Sequence, residues 1–148
     1  MEKQATLGDD LKQQISTSFG AAAPYYDEHA EVQQEVADRL IASLQPWRDI
    51  IPGGPIIELG CGTGFVTRGL ADLYEKQPIE VTDLSPEMVG YCRAKFDQDN
   101  LEFKVRDAES LPHDEPHYAM TVSGFTAQWF KEPAQMLGRW LQATKPGG

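Results

Sequence analysis

The fold of this chain is decided at Ile56-Ile57-Glu58-Leu59-Gly60-Cys61-Gly62-Thr63-Gly64. The apolar first half of this stretch predicts a short buried strand, and the second half predicts a tight glycine-rich turn that leads into a helix. Because glycine carries no Cβ, the backbone of such a turn can come close to a ligand. The N–H groups at the start of the following helix can then bind polar groups of that ligand.

The glycine spacing separates two classes of ligand. The turn reads G-x-G-x-G, whereas dinucleotide-binding domains carry G-x-G-x-x-G, whose third glycine would fall on Phe65. A second difference is Glu58, which stands two positions before the first glycine. The pattern therefore points away from a pyrophosphate ligand, and an NAD-dependent oxidoreductase is kept as an alternative.

Length and composition indicate a globular domain in the cytoplasm. The chain has 148 residues, of which 41% are hydrophobic, and a net charge of −10. This charge argues against nucleic acid as the main partner, and no apolar run approaches the ~20 residues of a membrane span. The first residues lack the pattern of a signal peptide. Cys61, Cys92 and the scattered histidines show no metal-ligand spacing, so we expect reduced thiols and no metal site.

The rest of the chain alternates between predicted strands and helices. We expect strands at 55–59, 79–82, 101–106 and about 118–122, and helices at 31–45, after 63, from 85 towards 96 and at 134–144. Ser85-Pro86 fits a helix N-cap followed by a first-turn proline. The alternation predicts an α/β Rossmann-like parallel sheet with flanking helices. Residues 1–50 are interpreted as a helical lead or lid, and residues 51–148 as the ligand-binding core.

Polar residues follow the predicted strands at the edge where ligands of open α/β sheets bind. Asp83 ends the second strand, where a carboxylate can accept hydrogen bonds from the ribose hydroxyls of a nucleoside. Asp107 follows the third strand, and Ser123 closes the fourth. The alternative interpretations are that Asp83 only caps a helix, that Asp107 is a surface-loop acid, and that Ser123 belongs to an ordinary loop.

The stretch 56–64 resembles motif I of the class I methyltransferases that depend on S-adenosylmethionine (SAM). Further segments resemble the malonyl-acyl-carrier-protein O-methyltransferases of biotin synthesis: Ser18–Asp27, Val36–Leu40, Asp107–Pro112 and Gln128-Trp129. The resemblance implies SAM as the cofactor, strand order 3-2-1-4, and O-methylation of the malonyl carboxylate on an acyl-carrier thioester. Because a carboxylate acceptor is already ionised near pH 7, we expect no catalytic base.

The resemblance also implies which residues contact SAM. Asp107 would bind the adenine amino group and the N–H of Ala108 a ring nitrogen, while Tyr25 would fold over the cofactor as a lid or, alternatively, pack on a helix. At Cys61 the helix N-terminus could lower the pKa of the thiol, and the alternative interpretation is that this residue is a filler between glycines. The full expected set is Glu58, Gly60, Cys61, Gly62, Gly64, Asp83, Leu84, Met88, Asp107, Ala108, Ser123 and Tyr25.

The sequence also fits other functions. They are methylation of a quinone precursor or another small molecule, a non-catalytic SAM-binding module, and the NAD-dependent oxidoreductase. The family core has seven strands, and the turn at 145–148 normally leads into the fifth. We therefore expect an incomplete core that is truncated after the fourth strand, an open edge on that strand, and little or no turnover by this chain alone.

Overall fold

A four-stranded parallel sheet forms the centre of the molecule. The computed structural model describes residues 13–14, 31–124, 126 and 130–148. In these residues the strands are β1 (Ile56–Leu59), β2 (Ile79–Asp83), β3 (Leu101–Val105) and β4 (Met120–Ser123). The helices are α1 (Glu31–Leu44), α2 (Phe65–Leu73), α3 (Pro86–Arg93) and α4 (Pro133–Ala143), and a 3₁₀ turn (Gln45–Trp47) follows α1.

The sheet has the order β3-β2-β1-β4, which confirms the predicted fold class and strand order. All three pairings are parallel, and Leu59 at the end of β1 is opposite Thr82 on one side and Ser123 on the other. Each crossover between neighbouring parallel strands needs a connection over a face of the sheet. Because all four strands are parallel, their carboxyl ends lie at the same end of the sheet, next to the glycine turn.

The two faces of the sheet bury different residues. On one face Ile56 and Val81 pack with the helices α1, α2 and α3. On the other face Ile57 and Leu59 pack with Trp140 of α4. β1 is buried along its whole length, as expected for a central strand that is covered on both sides.

α1 packs directly onto α2 and belongs to the first of these cores. Ala37 is buried, and a Cβ built on Gly69 would overlap the side chain of Ile41, so the two helices approach closely at that glycine. The boundary near residue 50 between lead and core stays a prediction. No helix in the described part of the chain has the length and apolar character needed to cross a membrane.

Several predicted boundaries shift by one to three residues. β4 begins at Met120 and not near Tyr118, because Tyr118 forms an isolated parallel bridge with Thr144 and its carbonyl accepts the N–H of Lys145. Thr144 and Lys145, which follow α4, therefore pair with Tyr118 just before β4, on the side of that strand that we expected to be open. α3 ends at Arg93, and Lys95 and Phe96 continue it only through i→i−3 turns. α1 ends at Leu44, where the 3₁₀ turn that contains Pro46 begins.

Candidate functional site

The three glycines of the turn adopt positive φ values but have different neighbours. A Cβ on Gly60 would overlap the hydroxyl oxygen of Thr126, and a Cβ on Gly64 would lie 3.0 Å from the Cys92 sulfur. At Gly62, with a φ of 54°, none of the described residues other than its two chain neighbours has an atom within 4 Å of that position. Gly62 is therefore the point where the backbone of the turn faces open space, as close approach to a ligand requires.

Gly62 and Asp83 are brought together across 21 positions of sequence. The backbone N–H of Gly62 donates to Asp83 Oδ2 at 3.0 Å, and the N–H of Ser85 donates to Asp83 Oδ1 at 2.9 Å. Burial raises the pKa of Asp83, while backbone N–H groups of Ser85, Gly62 and Leu84 act in the opposite direction. A carboxylate can accept about four hydrogen bonds, so Asp83 keeps capacity for a ligand hydroxyl.

The backbone of the turn is held by partners that the sequence analysis missed. Thr82 Oγ1 donates to the carbonyl of Glu58 at 2.7 Å, and the N–H of Cys61 donates to the Thr82 carbonyl at 2.8 Å. On the other side of the turn, Lys95 Nζ donates to the carbonyl of Thr63 at 2.8 Å. The position of Thr82, one residue before Asp83 on a strand beside β1, is the signal that could have identified it.

Glu58 is buried under the turn. The residue is 1% exposed, and its carboxyl accepts a hydrogen bond of 2.6 Å from Thr67 Oγ1 on the inner side of α2. Burial raises its pKa to about 7, and the charge of Asp83 adds to this, whereas the Thr67 hydrogen bond opposes it. The structure thus shows Glu58 tying β1 to α2, and its direct contact with a cofactor stays a prediction.

Cys61 is a packed thiol. Both cysteines are free and buried, and a hydrogen bond with Cys92, together with burial, strongly raises the pKa of the Cys61 thiol. The idea that the helix N-terminus lowers this pKa is wrong, because the thiol lies in the interior, where a thiolate would be poorly solvated. Cys61 therefore fits the filler interpretation, and only its backbone belongs to the turn surface.

The loop after β3 is fixed by α4. Asp107 Oδ1 accepts the N–H of Glu109 at 2.9 Å, and the N–H of Arg106 donates to the Asp83 carbonyl, which joins the ends of β3 and β2. The carbonyl of Ala108 accepts the indole N–H of Trp140 at 2.8 Å. Trp140 was not singled out from the sequence, where it looks like any apolar residue of an amphipathic helix.

The remaining predicted residues have mixed positions. Ser123 Oγ donates to the Leu59 carbonyl at 3.0 Å, so it lies at the end of β1 beside the turn. Leu84 is half-buried, and Met88 is 3% exposed, with its N–H donating to the N-cap Ser85 Oγ. Tyr25, expected as a lid, lies outside the described residues.

Two further features lie outside the crevice that Gly62 and Asp83 form at the carboxyl ends of β1 and β2. A cavity of about 620 Å³ extends between α1 and α2; its lining includes Thr63 and Gly64 but, within the described ranges, none of the acids at the strand ends. The rings of His113 and His117 stack at 3.6 Å. Among the residues that the structure places, no three His, Cys, Asp or Glu side chains are grouped to hold a metal ion.

Comparison with known proteins identifies relatives of the chain. The family model described as "Methyltransferase domain" matches residues 56–148. A malonyl-[acyl-carrier protein] O-methyltransferase from Acetivibrio thermocellus is 31% identical over 137 residues, which are 93% of this chain and 47% of that protein. One from Halorhodospira halophila is 33% identical over 135 residues, covering 90% and 45%. The chain therefore spans about half the length of these relatives.

A solved structure shares the fold of the chain. A chain from the complex between the Haloferax volcanii Trm112 methyltransferase activator and a methyltransferase superposes with a TM-score of 0.62 and 28% sequence identity. The match covers 88% of this chain and 57% of that one.

Proposed function

Because the chain belongs to the methyltransferase-domain family, we propose that its glycine turn and Asp83 bind SAM, and that the protein transfers the methyl group of SAM to an acceptor. SAM supplies an electrophilic methyl group when bound. The protein's own contribution is to orient cofactor and acceptor, and positioning of this kind is worth about 7–11 kcal/mol.

A single observation carries the proposal. The open face of Gly62 lies beside the Asp83 carboxylate at the carboxyl ends of β1 and β2, and the two residues are joined by a 3.0 Å hydrogen bond. An acidic group next to a closely approachable backbone suits a nucleoside whose ribose hydroxyls donate to the carboxylate. We further propose that Asp107 and Ala108, at the end of β3, contact the adenine.

A binding experiment separates SAM from the dinucleotide alternative. SAM and NAD are titrated into the chain by calorimetry at the same ionic strength. We expect saturable binding of SAM and none of NAD, since the spacing of the turn leaves Phe65 where the dinucleotide fingerprint needs a glycine. Binding of NAD in place of SAM would overturn the proposal.

We also propose that the acceptor is the malonyl carboxylate of an acyl-carrier thioester. The support is the N-terminal and strand-end sequence resemblance, together with two relatives that are named malonyl-[acyl-carrier protein] O-methyltransferase and are 31% and 33% identical. A carboxylate is ionised near pH 7 and reacts without a general base.

The acceptor is tested with the product of the complete reading frame. It is incubated with SAM and either malonyl-acyl-carrier protein or a quinone precursor, and the products are read by mass. Addition of one methyl group to the malonyl thioester is the expected result. If only the quinone precursor is methylated, the malonyl acceptor is wrong and the protein is a methyltransferase that acts on small molecules.

A further inference from the structure

The side chain of Thr126 occupies the space that a side chain on Gly60 would need. A Cβ built on Gly60 would overlap Thr126 Oγ1 and lie 3.2 Å from Thr126 Cβ. Thr126 belongs to the connection between β4 and α4, which is distant in sequence from the turn. Thr126 therefore occupies the space that is left by the missing Cβ of Gly60, whereas the corresponding space at Gly62 is open.

Thr126 also makes a hydrogen bond at the same place. Its Oγ1 donates to the carbonyl of Leu59 at 3.2 Å, and Ser123 Oγ donates to the same carbonyl at 3.0 Å. A carbonyl oxygen can accept two hydrogen bonds, so both hydroxyls are accommodated. Leu59 immediately precedes the turn, and the two hydroxyls therefore hold the peptide from which the turn starts.

We propose that Thr126 is a positioning residue of the cofactor site. It anchors its own position after β4 to the glycine turn, and it fills the space that a Cβ at Gly60, already disfavoured by the positive φ, would occupy. The inference deepens the proposed function and rests on it for the identity of the ligand. By joining the β1 and β4 walls of the crevice, Thr126 fixes the turn before the ligand arrives, which lowers the ordering cost of binding.

The contact is tested first without any ligand, by a double-mutant cycle in urea unfolding. Gly60→Ala alone places a methyl group into the Thr126 hydroxyl, whereas Thr126→Ala removes that overlap. The strain of placing alanine at a positive φ is present in both backgrounds and cancels from the cycle. We expect Gly60→Ala to destabilise the chain clearly less in the Thr126→Ala background than in wild type. Equal destabilisation in both backgrounds would overturn the proposed contact.

The positioning role is then tested by the affinity for SAM, measured well below the unfolding transition. Loss of the Thr126 hydrogen bond in Thr126→Ala is expected to weaken SAM binding about three- to tenfold. Thr126→Ser keeps the hydroxyl and should bind SAM within about twofold of wild type. Ser43→Ala, which removes a hydroxyl that donates to the Leu40 carbonyl on the exposed side of α1, is the matched control.

The outcomes distinguish the two proposals. A residue that only stabilises the fold would lower the unfolding midpoint and leave the SAM affinity of the folded protein unchanged, so unaltered affinity in Thr126→Ala overturns the positioning role. Failure of the wild-type chain to bind SAM would overturn the proposed function, and the unfolding cycle would still decide whether Thr126 and Gly60 are coupled.

Discussion

At the scale of single residues, one glycine motif meets three separate demands. Gly60 makes room for Thr126, Gly64 allows α3 to pack against the turn, and Gly62 faces open space beside Asp83. A side chain added at each position should therefore disturb the protein for a different reason, in addition to the strain that the positive φ causes at all three glycines.

Glu58 should make stability depend on pH in an unusual direction. Its folded-state pKa of about 7 exceeds the ordinary value of 4.5, so the folded state holds a proton that the unfolded state has lost between these values. The contribution of Glu58 to the free energy of unfolding is then fully present below pH 4.5 and is lost as the pH rises to about 7. The difference is on the order of 3 kcal/mol.

The comparison uses Glu58→Gln, which cannot titrate but can keep the hydrogen bond with Thr67. Its stability relative to wild type should rise between pH 4.5 and 7 in urea unfolding, with Glu75→Gln, an exposed glutamate after α2, as the control. A wild-type minus variant difference that is flat across this range would show that Glu58 does not titrate there.

At the scale of elements, the sequence predicted the N-cap of α3 correctly but predicted where the helices end less accurately. Ser85 is the N-cap of α3: its Oγ accepts the N–H of Met88 at 3.3 Å, and Pro86 occupies the first turn as predicted. The helix ends were less predictable, because a terminal turn can be α or 3₁₀ at similar energy.

Ser85→Ala should lower the free energy of unfolding by about 1 kcal/mol, the usual cost of losing an N-cap. The reason is that the N–H of Met88 loses its acceptor in a buried position. Chemical denaturation measures the change, with Ser110→Ala at an exposed loop position as the control. A loss no greater than that of the control would mean that water replaces the cap.

At the scale of the whole molecule, strand order was predictable and the ties between distant segments were not. Alternating strands and helices, with the family resemblance, predicted the order 3-2-1-4 and the positions of Gly62 and Asp83. In α1 the apolar residues Leu40 and Ile41 pack against the core, whereas Val32 is 73% exposed and the small Ala37 is 2% exposed. The apolar pattern therefore indicates part of the buried face, and which turns of the helix meet a neighbour depends on the tertiary fold.

Trp140 is one such tie, joining α4 to the loop that carries Asp107. Trp140→Phe keeps an aromatic ring against Phe130 but removes the donor to the Ala108 carbonyl. We expect a loss of about 1–3 kcal/mol in the free energy of unfolding, because a buried acceptor is left unsatisfied. The affinity for SAM should fall as well, since the loop is less well held. An unchanged unfolding curve would contradict this role.

The cofactor assignment is tested most directly by the affinity of the chain for SAM when the Asp83 carboxylate is removed. Calorimetry compares wild type, Asp83→Ala and Asp99→Ala, an exposed aspartate in the turn before β3. Hydrogen bonds to a charged group are worth about 1.5–3 kcal/mol, so Asp83→Ala should weaken SAM binding by about tenfold or more, and Asp99→Ala should not. SAM binding to Asp83→Ala as tight as to wild type would contradict the assignment of this crevice as the cofactor site.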